Sequence, residues 1–80
     1  MNQEVIIFGQ VIQRLRKVKN MTQEKLSETA NLERTFISYL ENGHKVPSLI
    51  TVFQLANGLG IEASSLIKMV EDEIKRSRKR

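Results

Sequence analysis

The chain has 80 residues, no cysteine, a single histidine and a formal net charge of +4. A chain this short makes one domain with a thin core, burying only about 60 % of its unfolded surface. Without thiols a disulfide is excluded, and one histidine cannot supply a structural zinc site, so pairing with a second copy is the common remaining way to add buried surface.

Residues 71–80 carry five basic and three acidic side chains, so half of the excess charge lies in the last ten positions. That balance permits a polyanionic partner without requiring one. Val5-Ile6-Ile7-Phe8 is a short apolar run with no basic stretch before it, unlike a secretory leader. No segment approaches the length of a membrane span. Absence of cysteine fits a reducing compartment, and the expected location is cytoplasmic. In that setting Asn20-Met21-Thr22, which matches a glycosylation sequon, is a chance match.

The hydrophobic pattern is helical throughout, with no alternating strand-like segment. A first helix is predicted over residues 4–19, with Phe8, Val11, Ile12, Leu15 and Val18 on one apolar face and Asn20 as a stop. A short helix follows over 23–29, capped by Thr22, with Glu24 near the positive end of its dipole. Leu26 and Ala30 face inward. Ala30-Asn31-Leu32 reads as a tight turn, Asn31 being able to take positive φ.

A third helix is predicted over 33–41, with Ile37 and Leu40 inward and Phe36 half-buried; Asn42-Gly43 ends it. After the connector His44-Lys45-Val46-Pro47, Ser48 caps a fourth helix over 49–57 whose inward face is Leu49, Val52, Leu55 and Ala56. Gly58 and Gly60 break the pattern. A fifth helix is predicted over 63–74. Residues 75–80 form a basic tail that reads as a solvated, disordered end or as an extension of a phosphate footprint. The domain is therefore drawn over 1–74.

Two short helices joined by a tight turn are a helix-turn-helix, although a plain helical hairpin meets the same description. Small Ser27 allows a close crossing. The third helix presents Arg34, Thr35, Ser38 and Tyr39 on its outer side. Those residue types suit base edges: arginine bonds guanine with two N–H groups, and a threonine methyl can touch a thymine methyl.

Gly9-x-x-Ile12-x-x-Leu15-Arg16, Met21-Thr22-Gln23-x-x-Leu26-Ser27 and Ile37-Ser38-x-Leu40-Glu41-Asn42-Gly43 occur in order. Pro47-Ser48-Leu49-x-Thr51-Val52 and Leu55-Ala56-x-Gly58-Leu59-Gly60-Ile61 follow them. With these segments the chain resembles the Cro/repressor-type helix-turn-helix domains, the xenobiotic-response-element family. Asn31 stands where glycine is usual and Ser27 where alanine is usual, both mild departures. The resemblance implies an all-α, five-helix, lambda-repressor-like fold and a transcriptional regulator that needs no cofactor or metal and is not an enzyme.

It further implies base readout by Arg34 and Thr35, with Ser38 and Tyr39 beside them. The implied phosphate contacts are Gln23 and Asn42, with Thr22, Lys45 and His44 as further candidates. Arg16 and Glu41 match an internal salt bridge, so Arg16 belongs to structure rather than to DNA; breaking such a pair when buried costs about 3–5 kcal/mol. Glu33-Arg34-Thr35-Phe36-Ile37-Ser38 in a chain of this length also resembles the controller proteins of restriction–modification systems. Those are dimers that bind palindromic operators, although similar strings occur in other regulators of the family.

Ile50, Phe53, Ile67, Val70 and Ile74 have no evident inward role and suggest an apolar dimer face; the alternative is that the fifth helix folds back onto the first. A two-fold dimer sets its recognition helices about 34 Å apart, which calls for a palindromic operator. The expected partners are double-stranded DNA and a second copy, with RNA polymerase a further candidate. One histidine and one aspartate do not build a catalytic triad, and no glycine-rich phosphate loop is present. The rival function is an antitoxin or anti-regulator that acts through protein binding.

Overall fold

The computed structural model describes residues 2–78. Its elements are all helical: α1 Gln3–Val18, α2 Gln23–Ala30, α3 Arg34–Glu41, α4 Leu49–Leu59 and α5 Ala63–Arg78.

Local chemistry sets the boundaries. The Asn2 side chain accepts from the Val5 N–H, Thr22 from the Lys25 N–H and Ser48 from the Thr51 N–H, so α1, α2 and α4 each begin on a side-chain cap. At α1's end Asn20 has φ 57° and Asn31 at α2's end has φ 58°. In both turns the next amide reaches back to a late carbonyl: Met21 N–H to Arg16 and Leu32 N–H to Ser27. The turn between α2 and α3 is thereby fixed at residues 31–33.

The core comes from all five helices. Ile12, Leu26, Ile37, Leu55 and Leu66 are fully buried, one from each. Truncating such a residue, as in Leu26→Ala, costs about 2–5 kcal/mol. α1 packs on α3 and α5, α2 on α3 and α4. Two glycines permit the closest approaches. A Cβ at Gly9 would strike the Leu40 carbonyl oxygen, and one at Gly58 would lie 2.7 Å from the Ala30 Cβ.

Gly58 therefore does not end α4. It lies inside the helix, which continues to Leu59 and stops at Gly60. The glycine marks a helix crossing, not a chain break.

Other expectations also need correction. Val18 and Leu49 carry the right periodicity for the core, yet each is 73 % exposed. Val18 occupies the final turn of α1 and Leu49 the first turn of α4, where helical phase no longer guarantees a neighbour.

Val70 is buried, and Ile74 packs partly buried against the core. Val70 is therefore not available as a dimer face in this chain, and Ile74 only in part. They share Leu66's side of α5, the side folded onto α1. Helix α5 also passes the expected stop at Ile74 and runs to Arg78, so the described tail residues 75–78 are helical; residues 79–80 lie outside the described residues. No single helix among the described residues is long and apolar enough to cross a membrane.

Candidate nucleic-acid interface

The α2–α3 pair presents a polar surface built on a buried ion pair. Glu41, the last residue of α3, accepts from Arg16 Nε at 2.7 Å and from Arg16 Nη2 at 3.1 Å. Arg16 Nη1 donates to the Met21 carbonyl at 2.8 Å. One guanidinium thus joins the end of α1, the turn into α2 and the end of α3. The side chains are 10 % and 1 % exposed, and at that burial loss of either partner strands a charge.

Gln23, the first residue of α2, joins the same carboxylate: its Nε2 donates to Glu41 Oε1 at 3.0 Å. Sequence reasoning assigned Gln23 outward only and missed this inward bond. Its residue type and helix position carried no signal for a partner 18 residues away.

On α3, Arg34 and Thr35 stand exposed in the first turn, Ser38 is half-buried and Tyr39 is exposed. Phe36 is half-buried against the core, as expected. Arg34 makes no salt bridge among the described residues, which leaves its guanidinium available for an external acceptor.

The end of α3 is similarly ordered. Asn42 is exposed, and its Nδ2 donates to the Ser38 carbonyl at 2.9 Å. The Lys45 ammonium lies 5.9 Å from the centroid of the Tyr39 ring, a cation–π distance that biases the loop toward α3. His44 is exposed, and its backbone N–H donates to the Tyr39 carbonyl at 2.8 Å. Thr22 is committed as the α2 cap through its oxygen.

The opposite flank has a different character. Arg14 and Arg76 both bond Glu73, at 3.1 and 2.8 Å, and Arg78 bonds Glu4 at 3.3 Å. Gln3 donates to Ser77 across the same α1–α5 contact. Lys68 bonds Asp72 at 3.0 Å, and that hydrogen bond, with the carboxylate's charge, holds the ammonium above the usual lysine range.

A groove of about 770 Å³ lies between α4 and α5, lined by Leu49, Val52, Phe53 and Ile67, with Glu62, Lys68 and Glu71 among its charged residues. Phe53 is 57 % exposed, Ile67 47 % and Ile50, on α4, 72 %. Of the five residues expected at a dimer face, these three remain on the surface, and Leu49 joins them. No group of three or more His, Cys, Asp or Glu residues that could hold a metal ion occurs among the described residues.

Comparison with known proteins points the same way. Residues 12–66 match the helix-turn-helix family. The chain is 38 % identical over 74 residues to the control protein C.MunI of Mycoplasma sp, covering 91 % of this chain and 100 % of that protein. It is 36 % identical over 63 residues to the control protein C.BamHI of Bacillus amyloliquefaciens, covering 78 % of each. The wild-type restriction-modification controller protein C.Esp1396I has the same fold at a TM-score of 0.88 with 28 % identity, covering 95 % of this chain and 99 % of that one. Its tetramer in complex with its natural 35 base-pair operator matches at a TM-score of 0.87 and 28 % identity, over 92 % and 97 %.

Proposed function

The chain belongs to the helix-turn-helix family, Cro/C1-type, and on that premise we propose that it is a sequence-specific DNA-binding regulator of the restriction–modification controller class. It binds as a homodimer and is not an enzyme. The observation that carries this reading is the outer surface of α3. Arg34, Thr35, Ser38 and Tyr39 stand on a helix whose far end is fixed by a buried ion pair, and the arginine has no salt-bridge partner among the described residues. A rigid helix with exposed, unneutralised donors suits major-groove readout.

The roles follow from that placement. Arg34 and Thr35 read bases, with Ser38 and Tyr39 alongside. Gln23, Thr22, Asn42, Lys45 and His44 meet the phosphate backbone, which positions the protein and makes binding salt-dependent. The apolar surface of Leu49, Ile50, Phe53 and Ile67 pairs with its symmetric copy, adding the buried area that an 80-residue chain lacks. That makes the operator palindromic. A cytoplasmic location and contact with RNA polymerase at the promoter belong to the same reading.

Binding selection from a random DNA library at moderate salt tests it. Enrichment of a two-fold symmetric sequence is the expected result. No enrichment at any sequence would move the function to protein binding.

A further inference from the structure

We propose that Glu41 is a positioning residue for DNA binding: besides pairing with Arg16, it orients the Gln23 carboxamide as a fixed single donor toward a backbone phosphate. This rests on the DNA-binding reading above and adds a second role for the buried carboxylate.

A carboxylate bound by arginine only accepts hydrogen bonds, so it fixes which end of the Gln23 amide faces inward. The NH2 group must, and Nε2 lies 3.0 Å from Glu41 Oε1. That nitrogen carries two hydrogens. The first is consumed by Glu41, and the second has no partner among the described residues. Gln23 is half-buried at the first position of α2, so its outward hydrogen is held at a helix entrance rather than sampling rotamers in water.

No other side chain does this as well. Glutamate at position 23 would face Glu41 with a like charge and could donate to neither group. Lysine would compete with Arg16 for the carboxylate. A carboxamide alone offers two divergent donors on one neutral nitrogen, and a phosphate, which only accepts, suits the second.

The Arg16–Glu41 pair behind the contact is neutral as a unit, so no net negative charge lies against the incoming phosphate. Asn42 repeats the device at the end of α3, with one Nδ2 hydrogen donated to the Ser38 carbonyl at 2.9 Å. There the anchor is backbone. At Gln23 the anchor is Glu41, and the contact is therefore coupled to the ion pair that ties α1 to α3. The orientation is set before DNA arrives, which removes an ordering cost from binding.

The test follows the two Gln23 Nε2 protons by NMR in the intact chain, free and with the duplex enriched in the selection. In the free protein one proton is expected to be protected from exchange and the other to exchange with water. On adding duplex the second should shift and become protected. Gln23→Leu should bind the enriched duplex and mismatched duplexes equally less well, by about tenfold, at a temperature where both the variant and the parent chain are fully folded. If Arg34 and Thr35 resonances shift on binding while the second Gln23 proton does not, the inference fails and the DNA-binding reading stands. Two equally exchanging protons in the free protein would also overturn it. If no resonance responds to duplex, both fail.

Discussion

The α1–α5 flank and the α2–α3 face treat positive charge in opposite ways. On the flank Arg14, Arg76 and Arg78 are bonded to Glu73 and Glu4, and Lys68 to Asp72. At the α2–α3 face Lys25, Arg34 and Lys45 make no salt bridge among the described residues. The one arginine that is paired there, Arg16, is used to hold three elements together. In the basic stretch at the end of the sequence, Arg76 and Arg78 are therefore bonded to carboxylates of α5 and α1, while the sparser charges of the motif stay available. Net charge along a chain does not locate a nucleic-acid surface; ion pairing in the fold decides which cations are left to act.

The sharpest way to break this contrast is to remove the ion pair beneath the motif. Arg16→Ala should lower stability by about 3–5 kcal/mol, because Glu41 would be left charged and buried. Chemical denaturation measures this, and a loss under about 1 kcal/mol would mean that water reaches the carboxylate. The next largest effect is on recognition. Arg34→Ala should weaken specific binding by about 1–3 kcal/mol and relax preference at one base in each half-site. A competition assay with singly substituted duplexes reads both effects.

Phe53→Glu probes the third region, the α4–α5 groove. It puts a carboxylate on the proposed two-fold surface and should convert dimer to monomer in sedimentation while leaving the helical content intact; a dimer that persists would place the interface elsewhere. The smallest effects separate the two kinds of cation most cleanly. Lys45→Ala should reduce the slope of log affinity against log salt by about 1. The double change Arg76→Ala and Arg78→Ala should leave that slope unchanged, since these cations are bonded to Glu73 and Glu4. Equal slope changes in both variants would remove the distinction.

Much of this was legible before any coordinates. Thr22, Asn31 and Ser48 act locally, on amides three residues ahead or through their own φ, and such signals are written in adjacent residues. The outer face of α3 was legible for the same reason, because helical phase places Arg34, Thr35, Ser38 and Tyr39 together.

What sequence missed depends on where helices meet. Gly58 looked like a breaker because the Ala30 backbone that crowds it lies 28 residues earlier. Val70 and Ile74 looked surplus because periodicity shows that they share a side of α5 but not that this side folds onto α1, a packing that was only the alternative reading. Residues 75–78 looked too charged to fold, but Arg76 and Arg78 find carboxylates on α5 and α1. Gln23 was read as facing DNA only, and the bond to Glu41 joins residues 18 apart that meet only after α1, α2 and α3 have packed.

The central claim is that α3 reads DNA as part of a two-fold pair. The most direct test is to run the binding selection in parallel with the parent chain and with Arg34→Ala. The parent should enrich a palindromic sequence with half-sites one helical turn apart, and the variant should enrich the same sequence with one base degenerate in both half-sites. An unchanged consensus from the variant would contradict the assignment of Arg34, and no consensus from the parent chain would contradict the regulator itself.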